Sequence, residues 1–182
     1  MDIIEVIRDL FRQNGDSRYG FEEVSQLEHA LQAAWAAEKE QAGDAQIAAA
    51  LLHDVGHLLH DLPDDATEEG IDDQHERLGQ QWLEPHFGPE VTEPVRLHVV
   101  AKRYLCAVES TYLGTLSLTS VQSLELQGGP FDDARVQQFE QTPYFRQAVA
   151  LRRWDDEAKV VGLQTPSTDH FLQYVKAVAI TS

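Results

Sequence analysis

Residues 45–59 read AQIAAALLHDVGHLL, a helical run that is apolar on nearly every face except at two histidines and one aspartate. A helix with no polar face has to be surrounded by other elements, so this chain must build a bundle around it. The same run sets a second constraint. His53 and His57 are one helical turn apart, Asp54 stands beside the first imidazole, and Gly56 lets another group approach the backbone. Burying two imidazoles and a carboxylate without a compensating charge is costly. The cluster therefore points to a metal site rather than to histidines that only satisfy nearby carbonyls.

The remaining sequence supplies helices to wrap that centre. Asp2 can cap a first helix that carries Ile3, Val6, Ile7, Leu10 and Phe11 at helical spacing, and Asn14-Gly15 stops it. A second helix is expected over about 21–40, with Val24, Leu27, Leu31, Ala34 and Trp35 on one stripe, and Gly43-Asp44 then opens the central run. Further helices are expected over about 74–84, 89–106, 116–126, 132–139, 143–161 and 167–180, with Gln127-Gly128-Gly129-Pro130 as a break. No period-2 strand and no repeat is found. The expected fold is all-α, eight or nine helices in a single domain over 1–182.

Charge excludes several partners. Against 14 Lys+Arg stand 31 Asp+Glu, a net charge of -17, which repels polyphosphate backbones and anionic membrane surfaces. Neither a nucleic acid nor a membrane is expected as a partner. The start MDIIEVIRDLF is acidic and amphipathic, unlike a leader peptide, and no apolar run reaches the ~18 residues of a membrane span. Cys106 is the lone cysteine, so an intrachain disulfide and a thiolate metal site both drop out, and a cytoplasmic location is expected. Residues 60–73 form the densest acidic run and are expected to be a loop.

His29, His75 and His98 fall on three separate expected helices. Imidazole and carboxylate without sulfur suit iron, manganese or zinc. Lys102 follows His98 by one turn, and Arg152 precedes Asp155 by one turn. A cation beside each of these late ligands suggests an anion site against the metals. His60, His86 and His170 sit at helix ends or in loops and are taken as ordinary polar residues.

The order His29, His53-Asp54, His75, His98, Asp155 resembles the HD-domain superfamily in the form that binds two metals, and the resemblance covers nearly the whole chain. YGFEEVSQLEH, LHDVGH, SLELQGGP and LRRWDDEAKV narrow it. Together they are similar to the mixed-valent di-iron oxygenases of the 2-amino-1-hydroxyethylphosphonate dioxygenase type, which use O2 to cleave a C–P bond and give glycine and phosphate. The resemblance implies an HD-type helical bundle and two iron ions, Fe(II)/Fe(III), on His29, His53, Asp54, His75, His98 and Asp155, with Asp54 bridging. It implies that His57, Lys102, Ser120 and Arg152 hold the phosphonate. It assigns Tyr19 to a gate over the iron and Glu22 to the ammonium of the substrate, both, with His57, in catalytic roles.

The residues themselves fit such a substrate. If the second helix begins by residue 21, Glu22 lies two turns before His29 and an acid faces the metal from the same side. Lys102, Arg152 and His57 supply donors for a phosphonate dianion. The substrate is then a small zwitterion with its two ends sorted. Two other enzymes compete: a sister oxygenase that takes 1-hydroxy-2-(trimethylammonio)ethylphosphonate to glycine betaine and phosphate, and an HD-type metal-dependent phosphohydrolase, because an Asp-bridged metal pair can also activate water. A myo-inositol oxygenase-like activity would not need the cations. A degenerate binding or regulatory module would not need every ligand.

Overall fold

The computed structural model describes residues 2–19, 22–59 and 74–180, so the acidic run at 60–73 and His60 lie outside the described residues. Among them are nine α-helices: α1 Ile3–Asn14, α2 Gln26–Lys39, α3 Asp44–Leu52, α4 His75–Leu83, α5 Pro89–Val108, α6 Leu118–Leu126, α7 Asp133–Glu140, α8 Phe145–Glu157 and α9 Thr168–Val178. No strand occurs among the described residues beyond two isolated bridges, Arg18 with Ser25 and Phe87 with Ala179. The fold is all-α. None of these helices is long and apolar enough to cross a membrane.

The central run behaves as its composition requires. Ile47 to Leu52 are all buried in α3, which is packed by α2, α5, α8 and α9 around one apolar cluster that also takes in Ile7, Phe11, Trp154 and Phe171. Ending this helix is where sequence and structure part. The α-helix stops at Leu52, His53 is its C-cap, and a short 3-10 turn over Val55–Leu58 replaces the expected last turn. His53 and His57 therefore do not share a face of one α-helix.

Helix α2 also starts later than its apolar stripe suggests. Ser25 is the N-cap, and it exchanges hydrogen bonds with Glu28 in a capping box, a stronger start signal than anything upstream. Ahead of it the chain folds back on itself, with the Tyr19 amide donating to Val24 O and the Glu22 amide to Tyr19 O, both at 3.0 Å. Glu22 is thus not on the helix that carries His29, and the two-turn register between them does not exist.

Helix α6 ends where Gly128 and Gly129 adopt φ of 93° and 69°, a left-handed pair that the Gln-Gly-Gly-Pro break makes cheap. Arg103 donates to both of their carbonyl oxygens and so ties the end of α6 to α5.

Candidate metal centre and anion pocket

Five helices or their ends deliver side chains to one buried point. His29 comes from α2, His53 and Asp54 from the end of α3, His75 from the first position of α4, His98 from the middle of α5, and Asp155 from α8. All six expected metal ligands are brought together. His29, His53 and Asp54 form one donor group, and Asp54, His75 and His98 form a second, with Asp54 in both.

The imidazoles are aimed before any ion arrives. His29 Nδ1 lies 2.8 Å from Ala158 O, His53 Nδ1 2.9 Å from Ala50 O, and His98 Nδ1 2.6 Å from Val95 O. A carbonyl can only accept, so each Nδ1 carries a proton and each Nε2 is the atom left to bind a metal ion once any proton on it is displaced. Those Nε2 atoms face one another, His29 to His53 at 3.0 Å and His75 to His98 at 3.3 Å. A metal ion placed between the nitrogens of each pair could bind both of them.

The carboxylates agree. Asp54 Oδ2 is 3.4 Å from His29 Nε2 and 3.3 Å from His53 Nε2, while Oδ1 is 3.4 Å from both His75 and His98 Nε2. Asp155 Oδ1 lies 3.4 Å from His29 Nε2. Ligand atoms bound at about 2.1 Å stand ~3.0 Å apart on an octahedron edge and ~3.4 Å on a tetrahedron edge, the spacings found here. Both Asp54 oxygens and Asp155 Oδ1 are buried with no hydrogen-bond donor among the described residues, while Asp155 Oδ2 is held by Arg152 Nη1. Orphaned buried carboxylates are expensive, and metal ions would satisfy them. A donor set of this kind holds first-row transition metals.

Electrostatics follow from the crowding. Burial opposes the charge on Asp54, yet His53, His29 and His98 hold its carboxyl well below the usual range. Burial likewise opposes Asp155, and the Arg152 guanidinium and His29 outweigh it. Burial would lower His29, but Asp155 and Asp54 raise its imidazole to about 9 when no metal competes.

Gly56 explains the position of His75. A Cβ on Gly56 would fall 2.1 Å from the His75 carbonyl oxygen, so only glycine lets the start of α4 come down onto the 3-10 turn. Gln74, with φ of 49°, swings the chain into α4 at this point.

Tyr19 and His57 close the site. The Tyr19 ring stacks on His29 at 3.7 Å and meets His57 edge-on at 6.4 Å, and His57 stacks on His75 at 4.0 Å. Burial first, then the charges of Asp155 and Asp54, push the Tyr19 phenol well above its usual value. Glu22 is only half-buried, and no hydrogen bond or ion pair joins its carboxylate to the centre among the described residues.

Beside Asp155 lies a cationic cluster. Lys102, Ser120 and Arg152 are all buried. Lys102 Nζ donates to Ser123 Oγ at 2.6 Å, and Arg152 Nη1 pairs with Asp155 Oδ2 at 2.7 Å. A third cation was not legible in the sequence: Lys159 Nζ donates to Ser120 Oγ at 3.2 Å and lies 5.9 Å above the Tyr19 ring. The helix expected over 143–161 ends at Glu157, so Lys159 leaves the helical register the sequence implied. Two reciprocal 2.9 Å bonds between the Gln32 amide and the Val160 backbone pin this segment against α2. Ser123, Tyr112 and Asp156 were equally silent, since only contacts remote in sequence give them a role.

Burial, with Arg152 nearby, lowers the Lys102 ammonium from 10.5 to about 7. Above that pH the ammonium empties, and an arriving dianion refills it. At about pH 8.5, inorganic phosphate will therefore bind with uptake of a proton, read by calorimetry in buffers of different ionisation heat. Lys102→Arg, which stays charged, should remove that uptake; an unchanged proton count in this variant would refute the assignment.

No family model matches the chain. Three curated proteins align with it over most of its length. Hydroxymethylphosphonate dioxygenase of Gimesia maris is 51% identical over 164 residues, 90% of this chain and 81% of that protein. [1-hydroxy-2-(trimethylamino)ethyl]phosphonate dioxygenase (glycine-betaine-forming) of Leisingera caerulea is 39% identical over 175 residues, 96% of this chain and 89% of that protein. An uncharacterized protein of Acanthamoeba polyphaga mimivirus is 32% identical over 171 residues, 92% of this chain and 78% of that protein.

Proposed function

Since the chain belongs to the family of phosphonate dioxygenases that these relatives represent, we propose that it is a di-iron oxygenase of the HD type that uses O2 to cleave the C–P bond of a 1-hydroxyphosphonate. The first substrate is 2-amino-1-hydroxyethylphosphonate, converted to glycine and phosphate. Substrate plus O2 equals the two products atom for atom, and the substrate supplies all the electrons, so no outside reductant is consumed.

One observation carries this reading: buried Lys102, Arg152 and Ser120, with half-buried Lys159, stand beside a cluster of four imidazoles and two carboxylates. His29, His53, Asp54 and Asp155 would hold one ion and Asp54, His75 and His98 the other, the irons mixed-valent. When bound, that pair supplies the activation of dioxygen and the redox chemistry. This chain's own residues bind and orient. Lys102 and Lys159 neutralise the phosphonate dianion, the Ser120 hydroxyl fixes one of its oxygens, and Arg152 braces Asp155. Tyr19, flat on His29, covers the centre against water until substrate arrives, and His57 lines the same side.

Glu22 is the candidate partner for a substrate ammonium. Its place outside α2, without a described contact to the centre, favours a second reading in which the substrate carries no ammonium. The relative named for hydroxymethylphosphonate supports that reading.

Incubating iron-loaded protein with the amino, trimethylammonio and hydroxymethyl substrates, with and without O2, tests both. Phosphate should appear only with O2, and the amino compound should exceed the trimethylated one, whose nitrogen offers Glu22 no donor. Equal release under argon would establish a hydrolase instead. Faster turnover of the trimethylated compound would establish the sister oxygenase, and turnover of the hydroxymethyl compound alone the second reading.

A further inference from the structure

We infer that Asp156 is a counter-charge built into the anion pocket, which loosens the grip on phosphate-like dianions so that the product can leave. The inference rests on the phosphonate reading above.

Asp156 adjoins Asp155 in sequence but stands in neither donor group of the metal centre. Its carboxylate pairs with Arg152 Nη2 and accepts from the Tyr112 hydroxyl. That hydroxyl accepts in turn from Arg152 Nε at 3.2 Å, and Arg152 Nη1 is already on Asp155. Every nitrogen of the guanidinium is engaged, and one positive charge stands between two negative ones. Lys102 and Lys159, by contrast, donate to hydroxyls, Ser123 and Ser120.

A pocket selected for tight binding alone would not place this acid here. Arg152 Nη2 could be satisfied by a neutral oxygen, and Asp155 already braces the guanidinium. Instead, a second carboxylate, 17% exposed, lies beside a buried pocket that must accept a dianion. Its field extends to Lys102, whose ammonium it favours. Substrate and product share the same dianionic head, so any charge that tightens one tightens the other. Such uniform binding does not speed the chemistry, and it delays release.

The test uses metal-loaded protein and inorganic phosphate as the probe. Asp156→Asn keeps an acceptor for Arg152 and removes the charge. Removing a negative charge beside the bound dianion removes a repulsion that falls with distance and with the local dielectric. Phosphate Kd by calorimetry, the phosphate inhibition constant and KM should all fall about tenfold, and kcat should fall as release becomes limiting. Asp156→Ser, a second neutral acceptor, has to show the same tightening. Tyr112→Phe removes a hydroxyl without removing charge and should bind phosphate no more tightly than the parent. The proposal is overturned if neither neutral variant tightens phosphate, or if Tyr112→Phe tightens it equally. Because phosphate binding needs no turnover, the two readings fail separately. Tightening without turnover of any hydroxyphosphonate would leave the counter-charge standing and remove the proposed reaction, whereas intact turnover with unaltered phosphate binding would do the reverse.

Discussion

Asp54→Ala protein, loaded with iron and dialysed, will keep fewer than about one ion per chain, and its turnover will fall by about three orders of magnitude or more. Asp54 is the one side chain that belongs to both donor groups. Without it, His75 and His98 are two neutral imidazoles with no anion to balance a dication, and that half of the centre should empty. His29 and His53 keep Asp155 and should bind one ion weakly. The fold should survive, because the imidazole Nδ1 anchors lie on backbone carbonyls that the substitution does not touch. Metal analysis after dialysis checks this, and an Asp54→Ala protein that retained two ions would remove Asp54 from the bridging position.

Gly56→Ala attacks the same half of the centre through the backbone. The added methyl would meet the carbonyl oxygen, carbonyl carbon and Cα of His75 at 2.1, 2.7 and 2.9 Å. All three are backbone atoms, so no rotamer change relieves the clash, and the start of α4 has to move. We expect a loss of about 3 kcal/mol or more, a fall in Tm of roughly 8 °C for a chain of this size. The ion on His75 and His98 should be lost before the one on His29 and His53. A variant with unchanged Tm and full metal content would show that α4 can be displaced freely.

The cluster at His53 and Asp54 and the all-α architecture were legible in the sequence for related physical reasons, whereas the convergence of His29, His75, His98 and Asp155 on it was implied only by the family resemblance. A histidine pair with an acid inside AALL…LL is too costly to bury unless something charged lies between them, and a helix apolar all round must be enclosed. Gly56 was legible as a place where some group approaches the backbone, though not that the group is the His75 backbone. What periodicity could not supply was local hydrogen bonding that overrides it. The Ser25 and Glu28 capping box moves the start of α2 past Glu22, and the 3-10 turn after Asp54 takes His57 off the face of His53. Lys159, Tyr112 and Asp156 were illegible for another reason. Each acquires its role from partners such as Ser120 and Arg152, 39 or 40 residues away for two of them, or from a turn of α8 whose facing is settled only by packing.

Helix α8 carries Arg152 and Asp155 within one turn, and α2 holds both His29 and, through Gln32, the backbone next to Lys159. The separation between the metal end and the phosphorus end of the site is therefore graduated by helical rise, about 1.5 Å per residue, and not by loop geometry. Such a site works as a gauge. On the proposed function it would measure how many bonds lie between a hydroxyl and a phosphonate, and would reject a chain one carbon too long by rigidity rather than by contact.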